Sequence, residues 1–154
     1  MHQYPMRVYA DTSVFGGCFD SEFQDMSLKL VEEAKRGRFR LVLSPTTLRE
    51  LARAPGRVRT FVTALPDSAV EVLAASEEAE SLREAYIAAG VLGRGSKADA
   101  EHIAYASIGE VDLIVSWNFK HIVHFEKIRG FHAVNMLRGY AQVPIHSPPE
   151  VIET

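Results

Sequence analysis

The chain has one cysteine in 154 residues, so it cannot form an internal disulfide, and no cysteine pairing of the zinc-binding kind exists. No run of apolar residues reaches the length of a membrane-spanning helix, which argues against a spanning or anchored protein. Residues Met1 to Phe15 lack a basic segment followed by an apolar run, so no secretory signal is expected and the reducing cytoplasm is the expected compartment. Basic excess is also missing. With 17 Lys and Arg against 20 Asp and Glu, the formal net charge is −3, which excludes a protein that grips nucleic acid through an overall basic surface. Such contact would have to be local. Two clusters offer it, Lys35, Arg36, Arg38 and Arg40 in one and Arg49, Arg53, Arg57 and Arg59 in the other, although either alone reads first as an ordinary solvated face. Internal repeats, low-complexity tracts and long linkers are absent as well.

What is present is enough apolar material, 47% of residues against 24% charged, for a single domain spanning 1–154 around one core. Apolar runs alternate with helical patterns, which predicts an α/β fold: a central parallel sheet of four to five strands with helices on both faces. Arg7 to Ala10 reads as the first strand, followed by a Gly16-Gly17 turn and a helix ended by Gly37. Phe39 to Leu43 is the second strand, after which Ser44 caps and Pro45 opens the helix that carries Glu50. Pro55-Gly56 interrupts that helix, a weak strand is expected over Val70 to Leu73, and Ser76 caps the next helix. A Gly93-Arg94-Gly95 loop leads to Ser96, read as the cap of the helix through Ile108. Val111 to Val115 and Phe131 to Val134 are read as strands. The tail from about 144, with Pro144, Pro148 and Pro149, is expected to be irregular, with at most a short edge strand over Val143 to His146.

In a right-handed parallel α/β sheet, strand C-termini and helix N-termini meet at one edge, where ligands bind. Asp11 follows the first strand, Glu50 lies early in the helix after the second, Asp99 in the first turn of the Ser96 helix, and Asn118 just beyond the strand at Val115. All four should face that edge. Each has a local alternative: a turn for Asp11, a pair with Arg53 for Glu50, a capping box with Ser96 for Asp99, a plain turn for Asn118. Three acids converging on one edge favour chemistry, because clustered carboxylates repel unless a cation neutralises them.

The segments Val8-Tyr9-Ala10-Asp11-Thr12-Ser13-Val14-Phe15, Ser44-Pro45 through Glu50-Leu51, Asp99-Ala100-Glu101-His102-Ile103-Ala104 and Ser116-Trp117-Asn118-Phe119-Lys120-His121 stand in an order that resembles PIN-domain nucleases. The likeness runs along nearly the whole chain and is nearest to the VapC-type ribonuclease toxins of bacterial type II toxin-antitoxin systems. It implies a metal-dependent endoribonuclease in which Asp11, Glu50 and Asp99 hold Mg²⁺ or Mn²⁺, with RNA as substrate, a small antitoxin as partner and a homodimer as assembly. The family's frequent fourth acid falls at or beside Asn118, a departure that weakens a second metal position.

Around these four, Thr12 and Ser13 could bond a phosphate or a metal-bound water, or serve the strand-end backbone. His102, one turn after Asp99, is read as held by local hydrogen bonds or as catalytic. His121 and His124 are assigned to the wall after the strand, and Glu101 to a solvent-facing or supporting position about a hundred degrees round the helix from Asp99. Trp117 is expected to pack over the sheet edge rather than stack on a base, and Cys18 to be inert. The rivals are a PIN-fold binding module without catalysis and an aspartyl phosphatase. The phosphatase would want a second Asp where Ser13 stands. A phosphate-binding loop at Gly93-Arg94-Gly95-Ser96-Lys97 fails on glycine spacing.

Overall fold

The computed structural model describes residues 4–152. Five strands, β1 (Met6–Ala10), β2 (Phe39–Leu43), β3 (Val70–Val72), β4 (Leu113–Val115) and β5 (Ile145–His146), form one sheet in the order β3-β2-β1-β4-β5. Every pairing is parallel. The chain steps outward from β1 to β3, then returns past β1 to lay down β4 and β5 on its other side. The C-terminal end of β1 is therefore the point where strand order reverses, the usual crevice for a ligand in such sheets.

Side-chain alternation along the strands sorts the core into two layers. Val8, Ala10, Leu41, Leu43, Leu113 and Val115 face one side, where they meet Val14 and Phe15 of α1 (Thr12–Gly17) and Leu30, Val31 and Ala34 of α2 (Gln24–Lys35). Also on this side lie Leu51 of α3 (Pro45–Ala52), Val58 of α4 (Gly56–Thr63) and, at the C-terminus, Val151 and Ile152 of α8 (Pro148–Ile152). Tyr9, Val42, Ile114 and Ile145 face the other side. There they pack on Leu82 and Tyr86 of α5 (Glu77–Ala88), Ile103 of α6 (Lys97–Ile108) and Phe131 of α7 (Phe125–Arg138). Among the described residues no helix is long and apolar enough to cross a membrane.

Ser44 and Thr47 form a reciprocal capping box with Pro45 in the first turn, and Ser76 accepts the backbone N–H of Ala79, both as the sequence signals. Four expectations are corrected. Phe131 to Val134 is helical, since Phe131, Val134 and Asn135 form a buried stripe at helical spacing and Gly139, at φ +82°, ends the helix in the left-handed region. Gly16 and Gly17 lie inside α1 rather than in a turn. Gly17 is needed for close approach, because a Cβ there would stand 2.5 Å from Ser27 Oγ and 2.8 Å from Trp117 Nε1. Ser96 closes a short 3-10 turn, Arg94–Ser96, and makes no side-chain cap, so the proposed capping box with Asp99 does not form. The short edge strand expected in the tail is present as β5, but the residues after it are not irregular: they form α8, held by Glu150 accepting the Ser147 backbone N–H at 2.9 Å and Ser147 Oγ at 3.0 Å.

Candidate active site

β1 delivers Asp11 to the switch point and leaves it 5% exposed. Ser13 Oγ donates to its Oδ1 at 2.5 Å and Ser116 Oγ to its Oδ2 at 2.9 Å. Each hydroxyl in turn accepts a backbone N–H from the segment after β4, Trp117 to Ser13 and Asn118 to Ser116, both at 2.9 Å. One carboxylate thus ties the start of α1 to the end of β4 through polarised hydroxyls. Burial raises the Asp11 pKa, and the charge of Asp99 adds to that, against the opposing charge of His102 and the two serine hydroxyls.

Glu50 stands on the second turn of α3, where its Oε1 accepts the Thr12 hydroxyl at 2.6 Å and lies 2.6 Å from His102 Nε2. His102 is 1% exposed, with its Nδ1 2.6 Å from the Tyr9 hydroxyl, which is 2.7 Å from Ser44 Oγ. A relay of five polar side chains therefore runs from the α3 cap to the first turn of α1. Burial disfavours a charged His102, but Tyr9, Glu50 and Asp11 outweigh it and raise its pKa to about 10. Burial likewise opposes ionisation of Glu50, yet the hydrogen bond and charge of His102, with Thr12 and Arg49, lower its pKa. The two form an ion pair at neutral pH. The expected pair of Glu50 with Arg53 is not made, and His102 is the locally bonded histidine, inside the protein rather than open to a substrate.

Asp99, in the first turn of α6, has its Oδ2 2.9 Å from His121 Nδ1. Asn118 Oδ1 accepts the backbone N–H groups of Lys120 at 3.2 Å and His121 at 2.9 Å, so the amide shapes the turn that presents His121. The acids share an edge but have separate partners. Among the described residues no group of three or more His, Cys, Asp and Glu side chains stands close enough together to hold a metal ion.

Of the two positions expected for Glu101, the solvent-facing one is overturned: it is 4% exposed, and its carboxylate accepts the Thr46 hydroxyl, Arg49 Nη2 at 2.5 Å and Arg83 Nη1 at 2.6 Å. The angular offset from Asp99 is right, but α6 is flanked by α3 and α5, so that direction is interior. Burial would raise the Glu101 pKa, but Thr46, Arg49 and Arg83 bring it down to about 2. Trp117 packs as expected, stacked on Phe23 at 4.3 Å and donating to Ser27 Oγ. Cys18 is buried, which with little opposition from Lys35 pushes its thiol up to about 11. Of the basic clusters, the first lies toward the opposite edge, where Lys35, Arg38 and Arg40 pair with Glu32, Glu33 and Glu71. In the second, Arg59 donates to the carbonyls of Leu51, Ala52 and Ala54, and Arg57 lies over Phe19.

Tyr9 and Ser116 are site neighbours that sequence reasoning gave no such role, whereas Arg49 stood in a cluster read as a local nucleic-acid contact or a solvated face, and Glu101 was read as solvent-facing or supporting. Tyr9 alone carried a signal, a hydroxyl on the strand face that a buried helix must cover.

No protein-family model matches the sequence, nor does any curated protein. The fold does have a counterpart among solved structures. A chain of VapBC2 from Rickettsia felis, crystallised bound to a DNA fragment from its promoter, superposes with a TM-score of 0.59 over 92% of this chain and 98% of that one. At 10% identity the likeness is one of fold alone, a parallel sheet with helices on both faces shared over nearly the whole of both chains.

Proposed function

We propose that the protein is a divalent-metal-dependent ribonuclease and the toxin of a toxin-antitoxin pair. The observation that carries this reading is Asp11, a buried carboxylate at the switch point whose hydrogen-bond donors are neutral hydroxyls. Burial without a touching cation disfavours its charge, and a bound cation would restore it. The donor set suits a hard ion: Asp11, Glu50 and Asp99 offer carboxylate oxygens, and Mg²⁺ or Mn²⁺ prefers oxygen. The separate partners of the three acids mean that some of these side chains must turn to share one ion. When bound, the ion would supply charge stabilisation at the attacking and leaving oxygens of a phosphodiester. The chain's own residues do the positioning. Ser13 and Ser116 fix the plane of the Asp11 carboxylate, Thr12 and His102 hold Glu50, and His121 holds Asp99. Asn118 supports the turn beneath His121, and its side-chain oxygen already has two donors.

RNA cleavage is measured with and without Mn²⁺ on nuclease-free protein. Cleavage should require the metal and vanish in Asp11→Asn, whereas full activity in EDTA would refute the metal-dependent reading. The separation of the acids favours one rival, a binding module that kept the fold without catalysis. That rival predicts no cleavage under any metal condition together with intact binding of a partner. A small antitoxin encoded beside the gene and a homodimer are part of the proposal; co-purification and light scattering on the co-expressed pair test them.

A further inference from the structure

The acid edge poses a problem for any polyanion that must approach it, and the net charge of −3 gives no general attraction. A cation beside the acids would solve it locally. Arg49 precedes Glu50 on α3, and its guanidinium is close enough to help lower the Glu50 pKa. Its side chain is 57% exposed, yet one nitrogen, Nη2, is anchored at 2.5 Å on the buried Glu101. Glu101 does not need Arg49 for its own satisfaction, since Thr46 and the largely buried Arg83 already bond it. The Arg49–Glu101–Arg83 group therefore carries a net positive charge, with the open part of the Arg49 fork toward solvent. Other arginines nearby are engaged: Arg83 and Arg94 share Glu84, and Arg59 holds backbone carbonyls.

We infer that Arg49 binds a phosphate of the RNA strand next to the acid edge, and that Glu101 is the positioning residue that pre-aims its guanidinium. The inference rests on the ribonuclease reading above. A planar fork fixed at one nitrogen matches two phosphate oxygens and loses little freedom on binding, which a free surface lysine cannot reproduce.

Binding of a single-stranded RNA oligonucleotide is followed by fluorescence anisotropy between low and high salt, in the Asp11→Asn background so that nothing is cut. Arg49→Ala should weaken binding about tenfold and reduce the log–log salt slope by about 0.7, the loss of one phosphate contact on a single strand. Arg49→Lys should restore the salt slope but only part of the affinity. With Asp11 intact, Arg49→Ala should raise KM about tenfold with a smaller change in kcat, and Glu101→Gln should move KM in the same direction. Arg49 is exposed, so Arg49→Ala should melt close to wild type; if Glu101→Gln fails to fold, the Arg49 pair still decides. A wild type that cuts RNA while Arg49→Ala keeps KM, affinity and salt slope would overturn the inference alone. A wild type that neither binds nor cuts RNA would overturn the ribonuclease reading and this inference with it.

Discussion

Replacing Glu101 by Gln keeps the shape of a side chain that is 4% exposed but removes the charge shared by two guanidinium groups. The carboxyl is held at about 2 against an ordinary 4.5. At ~1.36 kcal/mol per unit, that difference corresponds to about 3 kcal/mol of native-state preference for the ionised form. Arg49 is more than half exposed, so water screens its share of the interaction and a loss of about 2 kcal/mol at pH 7 is the working figure. Part of it comes from Arg83, 14% exposed, which would keep Glu84 but lose its buried partner. Because the folded pKa is depressed, the stabilisation is fully present above the unfolded value of about 4.5 and is lost as pH falls toward 2. Urea unfolding of both proteins between pH 7 and pH 3 should therefore show a gap that is widest at neutral pH and closes in acid. A gap below about 0.5 kcal/mol, the size of an ordinary surface change, or one that is equal at pH 7 and pH 3, would refute the assignment of Glu101 as a buried ionised anchor.

Asp11→Asn removes a buried charge with no touching cation, so in EDTA at pH 7 it should melt at or above the wild-type temperature. Because the Asp11 pKa is raised in the folded state, that advantage should shrink as pH falls through the raised folded value and be gone below the unfolded value of about 4, and the variant should gain less from Mn²⁺ in thermal melts. Asn118→Ala strips the acceptor from the N–H groups of Lys120 and His121 and should cost about 1–2 kcal/mol in denaturant unfolding, whereas Asn118→Asp keeps both bonds and should match wild type. Tyr86→Phe deletes a buried hydroxyl that donates to Asn135 Oδ1 at 2.5 Å, and the orphaned acceptor should destabilise the protein by about 1–2 kcal/mol in the same assay.

The sheet was legible because its evidence is local and repeated. Val8-Tyr9-Ala10 and Leu41-Val42-Leu43 are apolar on both faces, as a strand covered on both sides must be, and Ser44-Pro45 and Ser76 mark helix starts by their capping chemistry. Phe131 to Val134 misled for the same reason: a short apolar run has no period of its own, and its helical stripe emerges only when Asn135 is seen to be buried. Which positions reach the sheet edge follows from topology: Thr12 bonds Glu50, Ser116 links Asp11 to the Asn118 backbone, and His121 links Asn118 to Asp99. Their partners were not legible. Nothing in Asp99-Ala100-Glu101-His102 says that α3 and α5 close over Glu101, or that the Tyr9 hydroxyl crosses from the sheet to His102.

Three carboxylates at one edge would be expected to repel, and the structure shows how the edge avoids it. Glu50 is matched by a histidine whose pKa burial alone would lower, and Asp99 lies against the half-exposed His121. Among the described residues Asp11 is bonded only by hydroxyls, and burial shifts its carboxyl upward. The three acids are therefore not equivalent positions around a preformed cage. Glu50 is tied into the relay from Ser44 through Tyr9 and His102, which anchors it to the α3 cap, while Asp99 is tied to a turn that Asn118 holds. A cation that joined Asp11 to the other two would compete with His102 for Glu50 and with His121 for Asp99. On the proposed metal-dependent reading, affinity at this edge would be set as much by the two histidines as by the carboxylates, and the partly exposed His121 would yield at lower cost than the sealed His102.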